Sequence, residues 1–357
     1  MKIKIKISFF IFLAFPGILF SQKGIIIQSD AIVNPVGNVV LKLSGDLNFV
    51  NNSTFNQFGG KVIFCGNSNQ IISGNEPSEF EVVELDNPEF LILENDVIIH
   101  NELILSAGIL DISESNLTIG TDAIITGDFS SSAMISADNI GLLSFELENI
   151  GNFYFPVGST EGTHDYTPAE ITLNSGAYNN AVISLNLRNE KHPNNTSTTN
   201  YLNRYWQISG SGISDLDADL TAHYVSGDIT GNEANIDAAF WNGTHWMQLD
   251  PAGSLQISGN ISEFGDFTGV NRDIFSELYY IEDIGLYLNY KDGNIHYRNE
   301  SSCEFNEIRI YTVHGKLLQR EKITAKESFI PYHPVSHGIY LLHVQGENKI
   351  IVKKLYI

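Results

Sequence analysis

Three apolar triplets, Leu91 to Leu93, Leu103 to Leu105 and Leu117 to Ile119, recur 12 to 14 residues apart, each followed closely by Asn, Ser or Gly. Segments this short cannot bury a face on their own, and the neighbouring "KVIF", "NQIIS", "FEVVEL", "VIIH" and "AIITG" are no longer. A chain of short strands with polar corners suits a coil that stacks on itself, each rung covering the apolar face of the last. The first expectation for residues 22–141 is therefore a right-handed β-solenoid. A sandwich of tight hairpins is the rival, because short alternating strands with regular turns fit that as well.

The texture changes after about Leu142, where longer alternating strands carry more aromatics and all three tryptophans. "YLNRYWQI", "LTAHYV" and "AAFWNGTHWMQL" place aromatics alternately with polar residues, as the inner face of a β-sandwich requires. Asn242-Gly243 is a strong hairpin signal. Residues 142–270 are expected to form this sandwich, with "ISEFGDFTG" as its closing strand and 271–284 as a linker. From Gly285 to Ile357, seven alternating segments are separated by turns such as His314-Gly315, rich in residues that tolerate positive φ. That number of strands in this length predicts a small immunoglobulin-like sandwich. Helical periodicity is nearly absent, so the whole chain is expected to be all-β.

Charge divides the chain at the same place. The full sequence carries 20 Lys and Arg against 42 Asp and Glu, and from Gly285 onward there are 10 basic and 7 acidic residues. Between Val62 and Leu187 there is no Lys or Arg at all. So acidic a body repels phosphate backbones, which excludes nucleic acid as a partner. At the start, Lys2, Lys4 and Lys6 precede a 14-residue apolar run from Ile7 to Phe20. The run is shorter than the roughly 20 residues of a membrane-spanning helix. Residues 1–21 are expected to be a secretory signal peptide, cleaved near Ser21. The two cysteines, Cys65 and Cys303, fall in different predicted units, so they are expected to be incidental buried thiols rather than a disulfide.

Few residues carry a recognisable chemistry. Asp215, Asp217 and Asp219 in "SDLDADL" fall on one face of a strand and form a weak calcium candidate, without the glycine and later glutamate of an EF-hand loop. A solvated acidic strand is the simpler reading, as are loop carboxylates for Glu233 and Asp237. His245 lies between aromatics and is expected inside the sandwich. "GSTEG" at Gly158 departs from a nucleophile elbow because Thr160 stands where the serine should be. Asp111 and Glu114 could serve as paired carboxylates on a solenoid, but without a nearby Lys or Arg an acidic sugar would need a bound cation. No catalytic residue and no cofactor is therefore assigned. The leading reading is a non-catalytic structural or adhesive protein. The alternative is a carbohydrate-active enzyme or carbohydrate-binding protein that uses Trp241 and Trp246 as an exposed sugar platform.

Two stretches resemble known families. The run from Gly59 to Gly120, with its "NQIISG", is similar to the repeat region of exported Bacteroidetes surface proteins. The segment from Gly285 to Ile357 resembles the type A C-terminal sorting domain read by the type IX secretion system of Bacteroidetes. "IRIYTVHGKLL" places Gly315 and Lys316 at the family's "G-[RK]" hairpin. "GIYLLHV" places Gly338 and Tyr340 at its "G-x-Y" strand, and "KIIVKKLYI" supplies Lys349, Lys353 and Lys354 on its basic last strand. The family's usual Asn-Pro opening is replaced here by "IEDIGLYLNY". The resemblance implies a route through the periplasm and across the outer membrane, with the translocon and a surface sortase as partners. It also implies release of the cargo or its attachment to surface lipopolysaccharide, and extracellular polysaccharide is a further candidate partner.

Overall fold

The computed structural model describes residues 24–28, 39–53, 58–276, 279–281, 286–291, 293–299, 305–334, 339–346 and 350–356. The expected signal peptide, Cys303, Gly338 and Lys349 lie outside the described residues. The first unit is a coil of about 6 turns. Its strands are β1 (Gly24–Ile27), β2 (Val40–Gly45), β3 (Asn48–Asn51), β4 (Phe58–Gly66), β5 (Gln70–Gly74), β6 (Ser78–Leu93), β7 (Val97–Asp111), β8 (Leu117–Ile119), β9 (Ile124–Gly127) and β10 (Ala133–Ser136).

Every pairing among these strands is parallel, and they form three sides. One runs β1–β3–β5–β6–β7–β10, the second β2–β4–β6–β7–β9 and the third β4–β6–β7–β8. The solenoid expectation holds, but its repeat is longer than the triplet spacing. Stacked partners are 19 residues apart at Ser78 and Val97 and 24 apart at Gly24 and Asn48. Leu91 pairs with Gln70 and Leu110, Leu103 with Val83 and Ile125, and Leu117 with Val97. The three triplets therefore sit on three different sides, each less than one turn beyond the last.

Inward side chains stack in ladders, such as Leu43–Phe64–Leu85–Leu105 on the second side and Phe80–Ile99–Ile119 on the third, all buried. A fully buried aliphatic side chain contributes about 1.5–3 kcal/mol, and here it does so only because the next rung covers it. The corners explain the Asn-rich spacing. Asn48 accepts the Ile71 N–H at 2.9 Å, Asp96 accepts that of Asn116 at 2.7 Å, and Asn116 accepts that of Leu142 at 3.2 Å. Each bond ties one turn to the next and satisfies backbone left free by the bend. Gln70 is fully buried at one corner, donating to the Leu43 and Leu47 carbonyls and accepting from the Gly66 N–H and Asn87 Nδ2.

The rival all-hairpin arrangement is excluded for the coil, and the boundary near Leu142 is where its third side changes direction. β11 (Leu143–Leu147) pairs parallel with β8 and antiparallel with a later strand. Short β12 (Asn152–Phe155), β13 (Val157–Ser159) and β14 (Asp165–Tyr166) follow, then the long β15 (Ala169–Arg188), β16 (Tyr201–Leu202) and the long β17 (Tyr205–His223). β18 (Ile229–Thr230), β19 (Ile236–Trp241), β20 (Trp246–Pro251), β21 (Gln256–Ile261) and β22 (Gly265–Asn271) complete this part.

β15 and β17 pair along their length with a register shift between Tyr178 and Val182, so their two halves serve two layers. One layer is β11–β15–β17–β22–β19–β20 and the other is β12–β15–β17–β21. A single hydrophobic core runs without a break from Ile27 in the coil to Phe267 in the sandwich.

Trp206 is wholly buried in that core, its indole N–H donated to the Thr167 carbonyl at 3.1 Å. Beside it Arg204 is also wholly buried. Its Nε and Nη2 form a fork on Asp228 at 2.8 and 3.0 Å, and Nη2 also reaches Asp165 at 3.3 Å. A guanidinium out of water needs such partners.

The C-terminal sandwich has its own core. The seven expected strands are present as β24 (Leu286–Lys291), β25 (Asn294–Asn299), β26 (Phe305–Thr312), β27 (Leu317–Lys322), β28 (Glu327–Pro331), β29 (Ile339–Gly346) and β30 (Ile350–Tyr356). They follow β23 (Tyr279–Ile281), which lies in the stretch expected to be a linker and pairs antiparallel with β24. The reason is local: Tyr-Tyr-Ile is strand-prone and β24 offers it an open edge. The two sheets are β23–β24–β25–β28 and β27–β26–β29–β30.

Close stacking of the turns predicts a strong position dependence at glycine. Gly108 has φ +92° and a Cβ there would stand 1.7 Å from the Asn87 carbonyl oxygen, whereas Gly45, at φ +70°, faces open space. Gly45→Ala is expected to cost about 1–2 kcal/mol from the left-handed backbone alone. Gly108→Ala adds a clash against fixed backbone, typically a further 1–3 kcal/mol or more. Urea unfolding of the two variants checks this, and equal losses would count against the close approach of adjacent turns.

Candidate functional site

Of the residues implied by the sorting-domain resemblance, the described ones, Gly315, Lys316, Tyr340, Lys353 and Lys354, lie on the sheet β27–β26–β29–β30 or its first turn. Gly315 forms the β26–β27 turn at φ +79°, a region open to glycine at no steric cost. Its N–H bonds the Thr312 carbonyl, and the Thr312 N–H bonds the Lys316 carbonyl, both at 2.9 Å. Lys316 is exposed at this turn. Tyr340 is buried, with its ring edge-on to Tyr332 at 5.7 Å. Burial first, then the neighbouring Tyr340, pushes the Tyr332 hydroxyl up to about 12, so it stays a neutral core phenol.

Among the described residues β30 pairs with β29 alone and is an edge of its sheet. Ile351 and Leu355 are buried, while Lys353, in the same alternating row, is exposed, as is Lys354. A lysine interrupting the inward row of an edge strand discourages unwanted strand pairing.

Sequence reasoning missed a charged group on the outer face of this sheet. Glu307 accepts from Arg309 and from Arg320, the latter at 2.6 Å through Nε. The Arg320 hydrogen bond foremost holds the Glu307 carboxyl below its ordinary range. The signal was present as alternate charges in "NEIRIY" and "LQREK", legible only once strand register is known.

The other candidates are dispersed. Asp217 and Asp219 do project together and share the Asn260 amide at 2.7 and 2.9 Å, but Asp215 stands apart at φ +53°. The ladder skips between Ser214 and Asp217, so a bulge breaks the single face that strict alternation implied. Hydrogen bonds from Asn260 and then Asn174 hold the Asp219 carboxyl below its ordinary range. Among the described residues no three His, Cys, Asp or Glu side chains gather as metal ligands would.

Asp237 lies on β19 rather than in a loop and is buried against Arg272 at 2.7 Å, while Glu233 accepts from the Tyr224 hydroxyl. Asp111 is used locally, accepting the Ser113 N–H at 2.8 Å, and Glu114 is exposed. Cys65 is half-buried, its Sγ 3.6 Å from the Leu43 carbonyl.

His245 is exposed in the β19–β20 turn, where its N–H bonds Asn242 Oδ1, because the hairpin closes over four residues rather than two. The histidine inside the aromatic cluster is His192, 1% exposed and bonded through Nε2 to Asp266 at 2.9 Å. It packs on Tyr205, Trp241 and Trp246. Trp241 and Trp246 are half-buried, with rings 5.2 Å apart and inclined by 56°. The Trp246 indole N–H is donated to the Asn194 carbonyl.

The "GSTEG" stretch caps the coil. Asp138 accepts from Ser159 Oγ at 2.7 Å, Ser136 Oγ at 2.8 Å and the Thr160 N–H at 2.8 Å. Burial pushes this carboxyl up, but the bonds from Ser159, Ser136 and Thr160 outweigh it and leave its pKa depressed. A depressed folded value means stability that is present above the unfolded pKa of about 3.9 and is lost as pH falls through the folded value. Asp138→Asn is expected to cost about 2 kcal/mol at neutral pH and progressively less below about pH 4. Thermal melts of both proteins across pH check it, and a pH-independent difference would remove the carboxylate's role.

Compared with known families, residues 290–357 match the family described as the secretion system C-terminal sorting domain. No curated protein and no solved structure matches the chain. The matched span covers β25 to β30 and the end of β24, so the C-terminal sandwich is a type IX secretion sorting domain. Such a tail marks a protein for secretion to the cell surface or the extracellular space.

Proposed function

We propose that this chain is a non-catalytic structural or adhesive protein of the bacterial surface or its surroundings, delivered by its C-terminal sandwich. The observation that carries the reading is the sorting-domain match on a separate, basic module behind an acidic body. The leader takes the chain to the periplasm, the folded sandwich is read by the outer-membrane translocon, and a surface sortase removes it. The cargo is then released or joined to surface lipopolysaccharide. The coil suits an extended role because each turn adds length and a flat side without requiring a pocket.

Carboxylates that a hydrolase would need free are committed locally, Asp111 to Ser113 and Asp138 to Ser136, Ser159 and Thr160. The alternative is a carbohydrate-active enzyme or carbohydrate-binding protein on the same route. It would need Trp241 and Trp246 as a flat platform, and their 56° inclination supports it less well.

Removing Lys349 to Ile357 deletes β30 and leaves β29 as an exposed edge. The truncated chain is expected to accumulate in the periplasm, protected from external protease, while the full chain is exposed at the surface or released. Fractionation with a mid-chain tag reads this directly. Normal export of the truncated chain would make the sandwich part of the working protein instead of its address.

A further inference from the structure

The outward face of a small sandwich is normally polar, because only the inner face is covered. The two sheets of the C-terminal sandwich differ in this respect. On β23–β24–β25–β28 the outer row across His296 contains one exposed large apolar residue, Phe329, and the next row pairs Arg298 with Glu327. On β27–β26–β29–β30 the inner residues Ile308, Ile310, Leu342, Val344, Ile351 and Leu355 are buried, yet the other face is also apolar. Leu317, Ile339 and Val352 are 47, 39 and 54% exposed, with half-buried Tyr311 and Leu341 between them, and Val313 in the adjoining turn is 51% exposed. Strands with apolar side chains on both faces, as in "IYLLHV" and "IVKKL", are those expected to be covered on both.

Register places a basic margin beside this apolar band. Arg320 pairs with Arg309, Arg309 with His343, and His343 with Val352, giving one row across all four strands. The flanking rows contribute Lys322 opposite Glu307 and Lys354 opposite Leu341. Among the described residues of this face one carboxylate, Glu307, answers four cations, and Arg320 remains 61% exposed. Glu307 also holds both guanidiniums in place, so their remaining N–H groups are pre-positioned for carboxylates.

We infer that this outer face is the surface by which the sorting domain is read. Its occupant is a protein surface of the export machinery, apolar at its centre and bordered by carboxylates. The inference deepens the sorting reading and rests on it. Four strands about 4.8 Å apart and about six residues long span roughly 400 Å². That is about half of the 800 Å² per partner of a stable complex, which suits a contact that must release and does not suit a permanent dimer. An exposed array of Val, Ile and Leu on paired strands matches another packed protein surface, and the Arg fork matches carboxylate geometry.

The test compares full-length chains in a cell with type IX secretion, reading surface exposure to external protease together with the melting temperature of each purified chain. Leu317→Ser/Val352→Ser and Arg320→Glu/Lys322→Glu are each expected to lower the surface fraction about tenfold with the fold retained. Phe329→Ser, on the opposite sheet, is expected to be exported normally. Should a double variant melt well below the parent, the single Arg320→Glu replaces it, since that side chain is largely in solvent.

Normal export of folded outer-face variants, while the chain lacking Lys349 to Ile357 is retained, overturns this inference and leaves the sorting reading standing. Normal export of the truncated chain as well removes both. An equal defect in Phe329→Ser overturns the assignment to one face. So does a finding that the charge reversal abolishes binding to anionic lipid vesicles or self-association of the purified chain.

Discussion

A side chain on a β-coil is buried only by the turn above or below it, and this dependence shapes the coil from β1 to β10 and the strands that close it. The Phe80–Ile99–Ile119 ladder would end in water after β8 if nothing followed. β11 supplies the next rung through Phe145 and is itself held by β15 on its other edge. The antiparallel layers are thus the means by which one side of the coil is closed, and the core continues from one to the other. Coils leave unpaired strand edges at their ends, and covering them is what keeps such folds from pairing with one another.

The polar interior follows from the same geometry. Corners bend the backbone away from the ladder, and Asn48, Asp96, Asn116 and Gln70 each restore a hydrogen bond between turns. Where the sandwich must hold the loops over its core, the chain uses a buried Arg204 forked on Asp228. Breaking one partner of such a pair typically costs about 3–5 kcal/mol, because the other charge is left buried. These groups look chemically active in a list of residues, but in place they are fully occupied with structure.

The C-terminal sandwich solves a different problem. It closes its own core, and the outer face of β27–β26–β29–β30 keeps apolar and basic side chains where the outside of a small sandwich is normally polar. Its charge also sets it apart from what precedes it, with 10 basic and 7 acidic residues from Gly285 onward in a chain that carries 20 Lys and Arg against 42 Asp and Glu.

Much of this was legible in the residues. Short strands with Asn and Gly corners implied the coil, alternating aromatics the sandwich, and seven turn-bounded segments the C-terminal unit, because period-2 alternation and turn chemistry are local properties. The triplet spacing did not reveal the 19-residue turn between Ser78 and Val97, since residues that stack are remote in sequence and the triplets belong to different sides. Alternation placed Asp215 with Asp217 and Asp219, but a bulge set by the partner strand moved it away. Asn242-Gly243 marked a hairpin, yet His245 went to its exposed turn and His192 took the place among the tryptophans. The basic row from Arg320 to His343 also exists only through register. Sequence by itself determined which segments are strands and where they turn. Only tertiary structure decided which strands lie side by side, because pairing is fixed by burial across the whole core, and with it which charges meet.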